Sequence, residues 1–112
     1  MPSERLSAYR IMWLFVFFDL PTESEKDRKN YTKFRKGLIK DGFTMMQYSV
    51  YIRHCASKES SKVHNKRVDQ IMPPKGNVSI LEITDKQYGE IKTFWGSESV
   101  PVKPAPQQLE MF

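Results

Sequence analysis

The sequence contains one cysteine, Cys55, and this scarcity excludes several classes of protein. A single thiol cannot form a disulfide within the chain, and it cannot supply the ligands of a zinc or iron–sulfur site. We interpret Cys55 as a buried apolar residue rather than as a nucleophile. The chain is therefore expected in a reducing compartment, the cytoplasm.

Long apolar segments are also absent. The apolar run at residues 11–18 has eight residues, about half of what a membrane-spanning helix needs. Residues 1–9 include Glu4 and Arg5 but no apolar core. We therefore expect no signal peptide and no membrane partner.

Several catalytic signatures are missing from the sequence. It has no glycine-rich phosphate loop, no Ser/His/Asp set of recognisable spacing and no CxxC pair, so it does not match the common motifs for these chemistries. No predicted strand carries the glycine-punctuated aromatic motif of RNA-recognition modules. His54 and His64 lie ten residues apart on different predicted elements, and we interpret each as a surface or packing residue.

The sequence does have an excess of positive charge. Eighteen Lys and Arg against thirteen Asp and Glu give a net charge of +5 in 112 residues, with a pI of about 9.4. A chain of this length forms one domain with one core. The charge favours a polyanionic partner such as nucleic acid, while the alternative that it only maintains solubility stays open.

Apolar periodicity and turn residues predict strand, helix, strand, strand, helix, strand, followed by a short fifth strand. The predicted strands are residues 11–18, 43–46, 49–54, 78–84 and 91–95, and the predicted helices are residues 22–40 and 57–72. This order is typical of a ferredoxin-like α+β domain, βαββαβ, spanning residues 1–96. The fifth strand is expected to pair with the sheet edge of a second copy, which predicts a homodimer.

The helix ends and their inward faces follow from particular residues. Thr22 and Glu25 have the spacing of a capping box, and Gly42 follows the expected end of the first helix at Lys40. The Thr84-Asp85-Lys86 segment is interpreted as a turn. The inward residues of the second helix are expected to be Val63, Val68 and Ile71.

The first predicted helix is apolar on one side and basic on the other. Its basic side has a lysine stripe, which consists of Lys26, Lys29, Lys33, Lys36 and Lys40. Arg28 and Arg35 flank the stripe, seven residues apart. Most charged helix faces are only solvated, but five lysines with few interleaved acids favour phosphate binding.

Asp19 is the one carboxylate placed directly after the apolar first strand. It has two interpretations: it caps the turn into Leu20-Pro21, or it is a ligand for a hard divalent ion. Magnesium prefers oxygen ligands and keeps most of its waters, so one or two carboxylates suffice. A two-fold axis near the strand end would bring two copies of Asp19 together, and such an ion could polarise a phosphate and help to ionise a water.

The chain resembles the small CRISPR-associated Cas-two family, in particular members that accompany type II systems, over roughly residues 10–96. The motifs that carry the resemblance are FFDLP at residues 17–21, DRK at 27–29, FRK at 34–36, GF at 42–43, QYSVYIR at 47–53 and PPKGNV at 73–78. Together they are specific, although each alone is weak.

The resemblance implies a ferredoxin-like homodimer with magnesium-dependent endonuclease activity on RNA or DNA, in which Asp19 is both the catalytic and the metal-binding residue. It also implies that the dimer bridges the Cas-one integrase during spacer acquisition, with double-stranded DNA as its partner and RNA as an alternative. The expected nucleic-acid contacts are Arg28, Lys29, Lys33, Arg35, Lys36 and Lys75. For the adaptor role, the resemblance implies that the chemistry of the aspartate is dispensable.

Two positions depart from relatives of that family. Many relatives have tyrosine where this chain has Phe18, and some nuclease-active relatives have arginine in the region occupied by Met45-Met46. Ser49 and Tyr51 match the Ser-Val-aromatic motif, which we assign to the sheet and the dimer side. These departures weaken the nuclease hypothesis and leave the adaptor hypothesis intact. A toxin-like metal-dependent ribonuclease of the same fold is the alternative function.

Residues 97–112 are rich in proline and are expected to form an irregular tail. The tail ends in a short apolar segment whose docking residues would be Leu109, Met111 and Phe112. We expect this segment to bind the integrase partner or the surface of the dimer. It also resembles the short peptide that docks on bacterial sliding clamps.

Overall fold

The computed structural model describes residues 10–101. Four strands form one antiparallel sheet in the order β2-β3-β1-β4, and two further strands form a separate hairpin. The strands are β1 (Met12–Asp19), β2 (Thr44–Gln47), β3 (Val50–Cys55), β4 (Asn77–Thr84), β5 (Thr93–Trp95) and β6 (Glu98–Val100). The helices are α1 (Glu25–Lys40), α2 (Lys58–Asp69) and the short α3 (Asp85–Gly89). This is the predicted ferredoxin-like order, and the α+β fold class is confirmed.

Strand β1 lies in the interior of the sheet because it is apolar on both faces. It pairs with β3 on one side and with β4 on the other. Leu14, Val16 and Phe18 belong to the core cluster that includes the inward side chains of α1 and α2. Trp13 and Phe15 point to the opposite face and pack in a second, smaller cluster. Burial on both faces explains the continuous apolar run.

Helix α1 begins with a capping box that differs from the predicted one. The Ser24 hydroxyl accepts a hydrogen bond from the Asp27 amide at 3.0 Å, and the Asp27 carboxylate accepts one from the Ser24 amide. The predicted pair, Thr22 and Glu25, has the same spacing but lies two residues too early. The Thr22 carbonyl instead accepts a hydrogen bond from the Arg28 guanidinium at 3.1 Å. The helix therefore starts at Glu25.

The inward face of α2 was predicted incorrectly. Val68 is buried as expected, but Val63 and Ile71 are exposed. The other buried residues of this helix are Ser61 and His64. Both polar side chains have partners, since the Ser61 hydroxyl donates to Glu82 on β4 and His64 bonds to Asp41. Buried polar groups are tolerated when they are hydrogen-bonded in this way.

Asp41, the C-cap of α1, joins this helix to α2. Its carboxylate lies 2.8 Å from His64 Nδ1 and 2.9 Å from an Arg67 guanidinium nitrogen. Burial raises the pKa of Asp41, but the bonds from His64 and Arg67 outweigh it, so this pKa lies below its ordinary value. The Asp41 carbonyl also accepts a hydrogen bond from Arg53 on β3 at 2.7 Å. The network fixes both helices against the sheet.

A helical turn and a hairpin follow β4, and both differ from the prediction. The Thr84-Asp85-Lys86 segment opens α3, with a capping box between Thr84 and Gln87, rather than forming an isolated turn. Tyr88 of α3 stacks on Trp13 at a centroid distance of 3.8 Å. The indole nitrogen of Trp13 donates to Asp85 at 2.7 Å. These contacts cover part of the sheet face that α1 and α2 leave open.

The predicted fifth strand exists as β5, but its pairing was not foreseen. It pairs with β6 of the same chain, in a segment that we expected to be irregular. The turn between them contains Gly96 at a φ of +64°, a conformation that suits glycine. The boundary between a domain at residues 1–96 and a tail at 97–112 stays a prediction. In the described range, no helix has the length and apolarity to span a membrane.

Candidate functional site

Asp19 occupies the exposed end of the most extensively paired strand. It is the last residue of β1, where it lies opposite Asn77 of β4, and its side chain is exposed. The preceding residue, Phe18, is buried and packs edge-on against Phe34 at a centroid distance of 5.2 Å. The core therefore fixes the backbone that presents Asp19, while its carboxylate stays in solvent.

Two close backbone approaches surround this strand end. The Phe18 amide donates to the Ser49 carbonyl at 3.1 Å, which places the turn between β2 and β3 beside it. On the other side, Gly76 has a φ of +97°, and a Cβ on it would lie 2.7 Å from the Asp19 carbonyl oxygen. Only glycine fits there without a shift of the backbone, so the loop before β4 packs directly against Asp19.

The metal-binding capacity of one protomer is small. Within residues 10–101, no group of three or more His, Cys, Asp or Glu side chains is placed to hold an ion. Asp19 supplies one exposed carboxylate. This donor suits magnesium, which takes oxygen ligands and retains waters, but further ligands must come from a second protomer, a phosphate or solvent.

The lysine stripe lies on the outer face of α1, as predicted. Phe34 and Leu38 are buried on the inner face, and all five lysines of the stripe are exposed. Four of the predicted nucleic-acid contacts line one surface depression together with Glu25 and Thr32. These four residues are Arg28, Lys29, Lys33 and Lys36.

The two other predicted contacts, Arg35 and Lys75, lie apart from this depression. Arg35 is half-buried on the flank of α1, and a hydrogen bond with Tyr51 raises the pKa of its guanidinium. Lys75 is exposed in the loop before β4, next to Gly76 and therefore near Asp19. The structure thus groups four cations on α1 and separates Arg35 and Lys75 from them.

Comparison with known proteins identifies the family. Residues 12–91 match the model of the family described as CRISPR associated protein Cas2, which is the Cas-two family of the sequence analysis. A protein from Flavobacterium psychrophilum is 49% identical over 108 residues, covering 96% of this chain and 94% of the relative. One from Parvibaculum lavamentivorans is 52% identical over 101 residues, covering 90% of this chain and 100% of the relative. Both relatives are named CRISPR-associated endoribonuclease Cas2.

The chain belongs to the Cas2 family. The resemblance found in the sequence motifs is therefore confirmed, and with it membership of a family of CRISPR-associated nucleases. A third relative, from Paracidovorax avenae, carries the same name and is 41% identical over 107 residues, covering 96% of this chain and 99% of the relative. The role of each site residue in this Cas2 chain, including Asp19, stays a prediction.

Sequence reasoning gave no functional role to Tyr48, which lies beside Asp19. Tyr48 and Ser49 form a two-residue turn between β2 and β3, with Gln47 opposite Val50. Burial, followed by the nearby Tyr48 hydroxyl, raises the pKa of Tyr31 on α1. The sequence shows only that this turn lacks the Asn-Gly or Gly-rich residues that a tight hairpin prefers, and that absence does not reveal a role for Tyr48. The predicted docking residues Leu109, Met111 and Phe112 lie outside the described residues.

Proposed function

We propose that this Cas2 chain acts as a homodimeric nucleic-acid-binding adaptor in CRISPR spacer acquisition, bridging the Cas-one integrase. We also propose that the dimer has magnesium-dependent endonuclease activity at its paired Asp19 residues. The observation that carries the proposal is the exposed lysine stripe on α1 in a member of this family. A row of cations without a built recognition pocket suits phosphate backbones and gives little base specificity.

Unpaired apolar surface and free strand edges support the homodimer. Phe17 and Leu81 are exposed large apolar side chains on the sheet face opposite α1 and α2. Among the strands of residues 10–101, β4 is an edge of the four-stranded sheet, and β5 pairs only with β6. Exposed edges of this kind favour pairing with another chain. A second copy that covers this face would bury the exposed apolar side chains and pair with the strand edges.

The proposed metal site needs both protomers. Two Asp19 carboxylates brought together by a two-fold axis would repel each other, and a bound cation would relieve this repulsion. When bound there, magnesium polarises a phosphate and favours ionisation of a water. The side chains of the protein would position the ion and the substrate. Asp19 would hold the ion, while Lys29, Lys33 and Lys36 would retain the flanking phosphates.

The lysine stripe also indicates the class of substrate. Double-stranded DNA is the proposed partner for the adaptor role, because contacts with phosphates alone are independent of sequence. RNA is the alternative for the nuclease role, and the names of the relatives support it. The apolar end of the tail is a proposed docking segment for the integrase partner.

The experiment compares wild-type protein with Asp19→Asn, and with Asp69→Asn as a control that neutralises another exposed carboxylate. Purified proteins are incubated with labelled RNA and DNA in magnesium or in EDTA, and their masses are measured by sedimentation. We expect Asp19→Asn to lose magnesium-dependent cleavage while it keeps the dimer and its nucleic-acid binding. Cleavage by this variant at the wild-type rate would refute the proposed site. A monomeric wild-type protein would refute the dimer.

A further inference from the structure

The turn between β2 and β3 presents an aromatic side chain to solvent. Tyr48 is 77% exposed. Because the Ser49 carbonyl accepts the Phe18 amide at 3.1 Å, this side chain stands at the same end of the sheet as Asp19. A nucleobase is the ligand that suits an exposed aromatic ring beside a candidate phosphodiester site, because every nucleobase has a face that can stack on such a ring.

The backbone of the turn is strained in a way that aims Tyr48. Ser49 has a φ of +65°, the one positive value for a non-glycine residue in the described range. Such a conformation is unfavourable for a residue with a side chain and is normally taken by glycine or asparagine. The β2–β3 register also shifts between Met45 and Gln47, directly before the turn. Bulges of this kind re-aim side chains and occur next to active sites.

Neighbouring side chains hold the base of the turn and leave the Tyr48 ring in solvent. Tyr31 on α1 is half-buried, packs edge-on against Phe18 at a centroid distance of 5.9 Å, and has its hydroxyl near those of Tyr48 and Ser49. One helical turn later, Arg35 faces Tyr51 of β3, which raises the pKa of the Arg35 guanidinium. These contacts anchor the turn to α1, the helix that carries the lysine stripe. A nucleic-acid strand bound by that helix would therefore pass near the Tyr48 ring.

We propose that Tyr48 is a stacking platform for an unpaired nucleobase of the bound nucleic acid. The inference rests on the proposed function, because the lysine stripe must first hold the phosphate backbone. The ring can stack only on an unstacked base, because a base inside a duplex already has neighbours on both faces. One aromatic contact of this kind changes affinity by about tenfold.

The test measures binding in EDTA, so that cleavage does not enter. Wild type, Tyr48→Ala, Tyr48→Phe and Tyr48→Trp are titrated by anisotropy with a labelled single strand and with the matching duplex. We expect Tyr48→Ala to lose about tenfold in affinity for the single strand and less than about twofold for the duplex. Tyr48→Phe and Tyr48→Trp should retain single-strand binding, because both keep a ring.

A spectroscopic readout separates stacking from a structural role. A single strand carrying 2-aminopurine should lose fluorescence on binding wild type or Tyr48→Phe, and should keep it with Tyr48→Ala at saturation. Equal losses by Tyr48→Ala on both nucleic acids, or a changed sedimentation coefficient for Tyr48→Ala, would overturn the stacking role. If wild type binds neither nucleic acid, the proposed function itself fails. If wild type binds and Tyr48→Ala matches it, only the stacking inference fails.

Discussion

Replacement of Lys29, Lys33 and Lys36 by glutamine tests whether the lysine stripe contacts phosphates. The three side chains line the same surface depression on α1. Glutamine has nearly the helix propensity of lysine, so the helix should persist. Each phosphate contact on duplex DNA contributes about 0.9 to the slope of log affinity against log salt concentration. Loss of three contacts should lower that slope by about 2.7 for each protomer on the DNA.

The assay is a series of anisotropy titrations with one labelled duplex, at salt concentrations from about 50 to 200 mM. If six to ten phosphates are bound, wild-type affinity should fall by about 10³ to 10⁵ over this range. The triple variant should bind more weakly at low salt, and its affinity should fall less steeply. EDTA in every titration prevents cleavage.

A matched control comes from α2, where Lys58, Lys62 and Lys66 are also exposed. Their replacement by glutamine removes the same total charge from a different helix. The ion pair between Lys58 and Glu82, at 3.6 Å, is a surface pair of small energetic weight. If the α2 variant lowers the slope as much as the α1 variant does, net charge explains the binding. The lysine stripe would then have no specific role.

Two further predictions concern stability. Because the pKa of Asp41 is lowered in the folded state, its stabilising contribution is complete above its ordinary value of 3.8 and disappears as pH falls through the lower, folded value. Urea unfolding from pH 7 to 3 should therefore show less acid-dependent loss in Asp41→Asn than in wild type, and equal losses would contradict this. Gly76→Ala should destabilise the fold by roughly 1–3 kcal/mol, since its Cβ would meet Asp19 and Leu20 at 2.7 Å. The control Gly89→Ala, with no atom within 4 Å of its Cβ, should be neutral or stabilising in the same unfolding assay.

The sequence was sufficient to predict the elements of the fold wherever apolar patterning decides the structure. The run at residues 11–18 predicted β1 because a strand covered on both faces has no polar alternation. The same reasoning failed on α2, where His64 is buried against Asp41 and Val63 is exposed. A hydrogen-bonded polar residue can replace an apolar one in a core, and sequence position alone does not reveal its partner.

Sequence patterns predicted some residues of the candidate site and not others. Asp19 was evident because an acid directly follows an apolar strand, and the lysine stripe was evident from helical periodicity. Tyr48 was not, because its significance depends on its neighbours across the sheet and on the positive φ of Ser49. Those are long-range and backbone properties, which residue spacing does not encode.

The different constraints on these residues suggest how the site can vary. Asp19 ends a strand that pairs along its whole length with β4, so its position is set by the core rather than by its own contacts. A functional group on a rigid element can be replaced without loss of the fold, whereas Gly76 packs directly against the Asp19 backbone and cannot change freely. Tyr48 has neither constraint, because its ring is exposed at a turn. Differences in nucleic-acid preference between chains that share this fold should therefore arise at Tyr48 before they arise at Asp19.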